Sequence, residues 1–558
     1  MSAQSSSNAS KQRRAAIRRS ALWAAWGDAL GFMTERANAA RVRQRTGQDR
    51  VEQTKPWQRK IGGRTGPTVT LPAGCISDDT QLRLSTCRAI RGDGAFDVEP
   101  FAKIELATWP AYALGAGLGS TAAANNLKRR DVTWDTNFFD TKRSNYMQGG
   151  GNGAAMRIQP HVWSAASPGD HDADVLVNAV VTHGHPRGIV GALFHAACLD
   201  ATLRSGSILG PGEWAKIADQ AAARVVELAH DDHRLAEVWL GAWEDHSEQT
   251  FAEAVTQTVG ELQDALKLCT TVLIEDQKAA YARAVEALDA RGEERGSAIK
   301  SAALALLAAH LYQGRPEEAL IRCANELWTD TDTIATMAGA LLGLTAGDEP
   351  MGAIADRDVT VMEADRMAAI AEGQTVPSFP YPSLVTWSSP KAQLDSVVAD
   401  GDQLQLAGLG PAGVVEQVFR DTGKTPSTWE WLRLWFGQQV LIRRRPRPGP
   451  LSESHRVQQM PSYLIAPPPP QDTGQLSLRD DPSPTRITPN RPALDDRDLH
   501  ELTEYVIDSG FDEHVIGEAL LMLARRPGGI NDAIGFAAII AKAAATRQDR
   551  ERRRSAQS

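Results

Sequence analysis

Two short acidic runs constrain the fold of this chain more than any other feature. They read Ser77-Asp78-Asp79-Thr80 and Asp330-Thr331-Asp332-Thr333, and each opens a segment with the apolar pattern of a helix. One carboxylate at a helix N-terminus is an ordinary cap, because free N–H groups and the helix dipole favour negative charge there. Either run alone is explained as well by a cap with a solvated neighbour. Four carboxylates that meet would repel one another without a cation, so the pair predicts a divalent metal site joining segments about 250 residues apart.

The first 370 or so residues show the periodicity of α-helices. Apolar residues recur at spacings of three and four in segments 15–30, 81–90, 173–181, 189–203, 215–228, 251–268 and 298–311. Glycine-rich and polar loops at 62–74 and 133–153 are long enough to be functional rather than mere connectors. We therefore predict a compact, multi-helix, all-α domain over residues 15–371, with these loops at the rim of a cleft. Residues 1–14, Ser-rich and then basic, are expected to form a disordered tail.

Composition excludes several classes of protein. A net charge of -9 argues against a general electrostatic footprint for nucleic acid, although local basic patches stay possible. The cysteines are odd in number, widely spread and without CxxC spacing, which indicates neither a disulfide framework nor a zinc site; they are Cys75, Cys87, Cys198, Cys269 and Cys323. The sequence also shows no signal-peptide pattern and no apolar stretch long enough to span a membrane. A cytoplasmic location is expected.

The composition changes at Glu372. Clustered prolines, an alternating stretch at 402–406 and a tryptophan-dense segment at 429–436 predict a small α/β or β-rich domain over residues 372–442. Its tryptophans have the chemistry to stack on bases or sugars, but aromatic clusters more often fill the core of a small domain. The core interpretation is favoured.

The remainder divides into a linker and a helical module. Residues 443–492 are rich in Pro and Arg and predict an extended linker. Its basic start, Arg443-Arg444-Arg445, is a candidate contact for acidic partners or nucleic acid, but the solvated charged end of a strand is the favoured interpretation. A helical pattern returns over residues 493–547, which predicts a small module for docking a protein partner or for self-association. Residues 548–558 form a charged tail.

Three further motifs accompany the acidic runs. They read Gly27-Asp28-Ala29-Leu30-Gly31-Phe32-Met33-Thr34-Glu35, Gly151-Asn152-Gly153-Ala154-Ala155-Met156-Arg157 and Thr182-His183-Gly184-His185-Pro186-Arg187. Each is too short to be specific alone. In this order and at this spacing, the five motifs resemble the ADP-ribosylglycohydrolase family, and the resemblance covers about residues 20–350.

The resemblance implies an ADP-ribosylglycohydrolase-type fold and hydrolysis of the glycosidic bond of ADP-ribosylated targets, which releases ADP-ribose and reverses mono-ADP-ribosylation. It also implies two Mg²⁺ ions, for which Mn²⁺ can substitute, held by Ser77, Asp78, Asp79, Asp330, Asp332 and Thr333. Such hydroxyl and carboxylate oxygens are hard ligands that suit these ions. Ser77 stands where many relatives carry Thr, but it keeps the hydroxyl, so metal binding is expected to survive.

The resemblance also implies roles for individual residues. The implied catalytic residues are Asp79, Asp332 and Glu35, and the implied substrate-binding residues are Gly151, Asn152, Gly153, Ala154 and His183. The first two aspartates would stabilise positive charge at C1″ or take a proton from water, and the glycine loop would offer N–H groups to the diphosphate. Met156 is expected in the core, and Arg157 is expected to pair with the acidic site.

Two other functions stay open. One is hydrolysis of a small-molecule or nucleic-acid ADP-ribosyl conjugate, and the other is a non-catalytic ADP-ribose-binding or regulatory protein on the same fold. All six implied ligand positions are filled, which favours the enzyme. The linkage that is cleaved is left open, because acceptor selectivity resides in pocket walls and loops.

Overall fold

The computed structural model describes residues 3–63, 66–458, 497–526 and 529–557. Helices build the large N-terminal domain, as predicted: α1 (Ala3–Phe32), α2 (Ala39–Thr46), α3 (Asp78–Ala89), α4 (Val98–Pro100), α5 (Leu118–Asn126), α6 (Gln159–Ser164), α7 (Asp172–Val180), α8 (Pro186–Ser205), α9 (Pro211–Asp231), α10 (Leu240–Asp245), α11 (Phe251–Glu275), α12 (Ala280–Ala287), α13 (Ala298–Leu311), α14 (Pro316–Ala324), α15 (Thr331–Thr345) and α16 (Arg357–Ala371). Short π- or 3₁₀-helical turns lie at Phe101–Leu106, Trp109–Ala111 and Leu235–Trp239. The all-α fold of this domain is confirmed.

Helix α1 begins earlier than the sequence suggested. It starts at Ala3, so the predicted disordered tail over residues 1–14 is wrong from that residue onward. Long-range bonds hold this segment: Ser10 Oγ donates to Glu372 at 2.6 Å and Arg14 donates to the same carboxylate at 2.8 Å. The polar composition of the segment concealed these contacts, because their partner lies more than 350 residues away in the sequence.

Helices α1 and α15 cross in close backbone contact at the centre of the domain. A Cβ built on Gly27 would lie 2.5 Å from the carbonyl oxygen of Ala335, and one built on Gly31 would lie 2.5 Å from the Cα of Asp332. On the other helix, a Cβ on Gly343 would lie 2.5 Å from the carbonyl oxygen of Arg19. Only glycine permits this approach. The contact places the start of α15, which carries the second acidic run, beside the end of α1.

A small hairpin interrupts the helical domain. Strands β1 (Trp57–Lys60) and β2 (Thr68–Leu71) pair antiparallel, with Trp57 opposite Leu71. The sequence placed residues 62–74 in a loop, and β2 corrects this assignment. Its alternation of exposed and buried residues, with Val69 and Leu71 facing inward, is the period of a strand.

The prediction of a β-rich appendage is confirmed by a six-stranded sheet. Its strands are β3 (Val397–Asp400), β4 (Gln403–Leu406), β5 (Gly410–Asp421), β6 (Ser427–Leu434), β7 (Gln439–Arg444) and β8 (Gly449–Pro450), in the spatial order β7-β6-β5-β4-β3-β8. All neighbours are antiparallel except β3 and β8, which pair in parallel. Trp431 is buried in the core, as favoured from the sequence, whereas Trp429 and Trp435 are half-buried.

The sheet passes the boundary at which the linker was predicted to begin. Strand β7 continues through Arg444 and β8 pairs with β3, so residues 443–450 belong to the sheet rather than to a linker. Two arginines at the basic start of the predicted linker form ion pairs within the sheet. Arg443 pairs with Asp421 at 3.0 Å, and Arg444 pairs with Glu430 at 2.7 Å. Residues 451–458 contain a short 3₁₀ turn at Glu453–His455, and residues 459–492 of the predicted linker lie outside the described residues.

Buried polar contacts join the appendage to the helical domain. Arg88 and Glu105 form a bidentate pair with both bonds at 2.7 Å, and both side chains are almost completely buried. Tyr381 donates to Glu105 at 2.7 Å, and Gln438 of the appendage accepts from Arg88 at 2.8 Å. The two parts therefore share one polar network.

Three helices form the C-terminal module: α17 (Leu499–Asp508), α18 (Glu513–Arg525) and α19 (Gly529–Gln557). Residues 548–557, predicted as part of a charged tail, continue α19 instead. The module contacts the helical domain through ion pairs from Arg130 to Asp532, at 2.6 Å, and from Arg234 to Glu504, at 3.6 Å. Within the described part of the chain, no helix is both long and apolar enough to cross a membrane.

Candidate functional site

The two acidic runs meet at one cavity of about 220 Å³. Its acidic wall contains Glu35, Asp78, Asp79, Asp330 and Asp332, together with Thr333. Five of the six predicted metal ligands thus line one cavity. The sixth, Ser77, is fully buried directly behind the wall.

Ser77 caps α3 and positions its neighbour. The Ser77 hydroxyl accepts from the backbone N–H of Asp79 at 3.2 Å and donates to Asp79 Oδ2 at 3.0 Å. Thr333, from the second run, donates to the same oxygen at 3.4 Å. At the other helix, Asp330 occupies the N-cap position of α15 but makes no side-chain capping bond. The alternative of two ordinary Asp caps is therefore wrong, and the carboxylates face the cavity instead.

Asp28 supports this wall, and the sequence reasoning gave it no role. Its carboxylate accepts from the backbone N–H of Ser77, at 3.0 and 3.2 Å, and from that of Thr80, at 3.1 Å. It thereby satisfies free N–H groups at the start of α3. Asp28 is fully buried, and burial raises its pKa. It is a positioning residue; its place in the Gly27 to Glu35 motif was the available signal.

The glycine loop is attached to the second acidic run. Asn152 Nδ2 donates to Asp330 Oδ2 at 2.7 Å and to the Ser301 hydroxyl at 2.9 Å. Its backbone N–H donates to the carbonyl of Gly296 at 2.9 Å. Gly151 and Gly153 also line the cavity, as predicted. Ala154 does not: it is completely buried and contributes to the core.

Burial and mutual repulsion act on the carboxylates together. Burial raises the pKa of Asp78, Asp79 and Asp332 well above the ordinary value, and the nearby carboxylates raise it further. The pKa of Asp330 is also raised by burial. Asp79 Oδ1 is buried with no hydrogen-bond partner among the described residues. Such a set of hard oxygen donors, short of positive charge, fits divalent cations.

A tight cluster of potential metal ligands lies elsewhere among the described residues. The ligand atoms of His233, Glu504 and Asp508 all lie within 4.8 Å of one another. The aspartates of the cavity do not form a cluster of this kind in the described part of the chain.

His183 also lines the cavity. Its Nδ1 is 2.7 Å from the Thr182 hydroxyl, and burial lowers its pKa to about 3, so the ring is neutral at physiological pH. Arg157, expected to pair with the acidic site, donates instead to Asn178 and to the Gly153 carbonyl, each at 2.8 Å. The prediction for Arg157 is wrong, because its guanidinium points toward α7 and the loop carbonyl.

Glu35 stands at the rim of the cavity with its charge already paired. Arg59 donates to it at 3.0 Å, and Arg36 Nε lies 3.4 Å from its other oxygen. Sequence reasoning did not identify several further lining residues: Phe139, Ser144, Thr182 and Gly296. Met156, expected in the core, also lines the cavity. The long loop at residues 133–153, predicted at a cleft rim, supplies Phe139 and Ser144 and was the only signal for them.

Comparisons with known proteins agree with the motifs. The family model for ADP-ribosylglycohydrolase matches residues 9–372. The ADP-ribosyl-[dinitrogen reductase] glycohydrolase of Rhodospirillum rubrum is 30% identical over 209 residues, which are 37% of this chain and 62% of that protein. The chain thus matches less than two thirds of the length of this curated relative.

A solved structure described as an ADP-ribosylglycohydrolase-related protein complex is also similar. It has a TM-score of 0.41 and 19% identity, and the match covers 65% of this chain and 99% of that one. The family match is the decisive comparison, since it includes both acidic runs, the glycine loop and the His183 motif within more than half of the sequence. This chain belongs to the ADP-ribosylglycohydrolase family.

Proposed function

We propose that this protein hydrolyses the glycosidic bond between ADP-ribose and a modified protein, releasing ADP-ribose and reversing mono-ADP-ribosylation. The observation that carries the proposal is the meeting of both acidic runs and the glycine loop at one cavity. The name of the Rhodospirillum rubrum relative, a glycohydrolase of an ADP-ribosylated protein, supports a protein target. The five cysteines are free and buried, which agrees with action in a reducing cytoplasm.

The proposal includes two Mg²⁺ ions, with Mn²⁺ as a substitute. Asp78, Asp79, Asp330, Asp332 and Thr333 would hold them, with Ser77 close behind. Bound ions would supply a template for ribose hydroxyls and lower the pKa of a water. The unpartnered Oδ1 of Asp79 and the raised carboxylate pKa values support this assignment.

The chain's own residues would then orient the substrate and transfer a proton. Carboxylates of Asp79 and Asp332 would offset positive charge as the C1″ bond breaks. Either would accept a proton from the attacking water and pass it to the departing acceptor atom, so that the products are ADP-ribose and the free acceptor. Backbone N–H groups of Gly151 and Gly153 would hold the diphosphate, whereas that of Asn152 already donates to the Gly296 carbonyl. Neutral His183 would offer a hydrogen bond without adding charge. Glu35, at the rim, lies where the acceptor would leave.

Free ADP-ribose release tests the proposal. The purified protein is incubated with Arg-linked, Ser-linked and nucleic-acid-linked ADP-ribose, with Mg²⁺ or with EDTA. Release that requires Mg²⁺ and is lost in Asp79→Asn supports the hydrolase and identifies its linkage. Asp358→Asn is the matched control, because Asp358 is an exposed aspartate in the first turn of α16 that lies outside the cavity.

Two alternatives give different results. Release only from a nucleic-acid or small-molecule conjugate would assign the same chemistry to another target. Tight binding of ADP-ribose without release from any conjugate would replace the hydrolase with a binding or regulatory protein on this fold.

A further inference from the structure

A second cleft, of about 740 Å³, adjoins the acidic cavity. The two share Glu35, Arg36 and Gly115 in their walls. Helix α2, the β1–β2 hairpin and Trp429 of the appended sheet enclose the second cleft. It therefore begins at the residue that marks the rim of the proposed catalytic cavity and extends away from the aspartates.

The cleft is strongly basic. Its charged lining consists of Arg36, Arg41, Arg45, Arg59 and Lys60, with Glu35 as the acid among them. Five cations against one carboxylate leave a local surplus of positive charge, although the whole chain carries a net charge of -9. A cleft that is positively charged in a protein with negative net charge indicates an anionic ligand.

Several of these cations are held in place before any ligand arrives. The Arg59 guanidinium lies 4.1 Å from the ring centre of Phe32, and its Nη1 is buried with no hydrogen-bond partner among the described residues. Arg45 donates to the carbonyls of Glu35, at 2.8 Å, and Met33, at 3.2 Å. Fixed guanidinium groups lose little freedom when they bind carboxylates.

Arg41 completes the set from the outer edge. It lies exposed on α2, and no ion pair to its side chain occurs in the part of the chain that the structure describes. Arg43, two residues along the same helix, is different: it pairs with Asp49 at 2.6 Å and does not line the cleft. Helix α2 thus carries one arginine that lines the cleft, Arg41, and one that is neutralised by an ion pair outside it, Arg43.

We infer that this cleft binds the acceptor protein, and that the modified residue is flanked by acidic side chains. The inference rests on the proposed function, because it places ADP-ribose in the acidic cavity and the acceptor beyond Glu35. Carboxylates of the acceptor would then lie against Arg36, Arg41 and Arg59. A segment with basic flanks would be repelled from the same cleft.

A peptide suits the cleft better than a nucleic-acid strand. Binding of single strands generally adds aromatic faces on which bases stack. Here the Trp429 ring packs against the hairpin, 3.0 Å from where a Cβ on Gly62 would lie, and Trp57 is almost completely buried. The Phe32 ring is covered by the Arg59 guanidinium. Among the described residues of the cleft wall, Trp429 is the half-buried aromatic ring, so cations outnumber stacking surfaces there.

Three ADP-ribosylated peptides test the inference. They carry the same linkage and differ only in flanking residues, which are acidic, neutral or basic; a small conjugate without peptide and an ADP-ribosylated oligonucleotide complete the set. We expect kcat/KM to fall in the order acidic, neutral, basic, with about threefold per exposed ion pair and on the order of tenfold overall. High salt should compress the difference.

Charge reversal provides the matched comparison. Arg41→Glu should lower kcat/KM for the acidic peptide and raise it for the basic one, whereas Arg43→Glu should leave the wild-type order intact. Equal rates on all peptides, with the small conjugate cleaved, would overturn the inference and leave the proposed function standing. Faster release from the oligonucleotide than from the acidic peptide would overturn it in favour of nucleic acid. Failure to cleave any conjugate would overturn the proposed function itself, and the inference with it.

Discussion

Replacing Gly31 by Ala should damage the catalytic cavity without touching any cavity side chain. The added methyl group would lie 2.5 Å from the Cα of Asp332, whereas ordinary contact begins at 3.4 Å. The closest atom, the carbonyl oxygen of Thr331, would lie 2.4 Å away, so helices α1 and α15 would have to separate by about 1.0 Å to restore ordinary contact. The displaced atom is backbone, so no side-chain rotation can relieve the clash.

The cost combines two opposing effects. Overpacking of a dense interior costs about 1–3 kcal/mol, and the better helix propensity of Ala returns up to about 1 kcal/mol. We expect a net loss of about 1–2 kcal/mol from the free energy of unfolding. A misplacement near 1 Å at a catalytic group can cost on the order of 100-fold in rate, so kcat should fall by about 10- to 100-fold.

Gly260→Ala is the matched control. Gly260 lies inside α11, and a Cβ there would meet no atom within 4 Å. This variant should keep full activity and gain up to about 1 kcal/mol in stability. Thermal unfolding and ADP-ribose release are measured on both variants. A Gly31→Ala protein with wild-type melting temperature and kcat would refute the argument that backbone contact between α1 and α15 positions Asp332.

Three further predictions follow from buried carboxylates. Asp28→Ala should lower ADP-ribose release and cost about 1–3 kcal/mol of stability, because the N–H groups of Ser77 and Thr80 lose their buried acceptor; Asp28→Asn, which retains one acceptor oxygen, should lie between this variant and the wild type. Mg²⁺ should raise the melting temperature of the wild type by binding the native state, and Asp79→Asn should reduce that response; an equal rise in both proteins would argue against the assigned ligands. Burial raises the pKa of Asp356 to about 7, above its unfolded value of about 4. The native state therefore keeps a proton that the unfolded state has lost, and the contribution of Asp356 to the free energy of unfolding should fall between about pH 4 and 7. Asp356→Asn keeps an acceptor for the Gln439 N–H and should gain stability relative to wild type as pH rises across this window, measured by denaturant unfolding at pH 5 and 8; a constant difference would contradict the assignment.

The sequence predicted the parts of the site that local chemistry specifies. Paired aspartates at a helix start exceed the needs of capping, and this excess was visible at Asp78 and Asp79 without any structure. The all-α domain was predictable for the same reason, since helical periodicity is a local pattern. Both predictions depended on residues close together in the chain.

Long-range pairing produced the errors. The proline and arginine content near residue 443 suggested a linker, but β7 pairs there with β6. Arg157 has the charge to pair with the aspartates, yet the fold directs it to Asn178. Trp429 reaches Gly62 from more than 360 residues away, so the basic cleft had no signature in either segment alone. The role of Asp28 likewise required the position of α3.

The crossing of α1 and α15 has a consequence for synthesis. The first helix emerges from the ribosome long before its main packing partner, which follows about 300 residues later. At about 5–20 residues per second, that delay is about 15–60 s. During this time the apolar residues of α1, including Leu22 and Trp26, lack the surface that buries them in the finished protein. The nascent chain therefore exposes, for this time, apolar surface that the folded protein buries and that makes unfinished chains prone to aggregate.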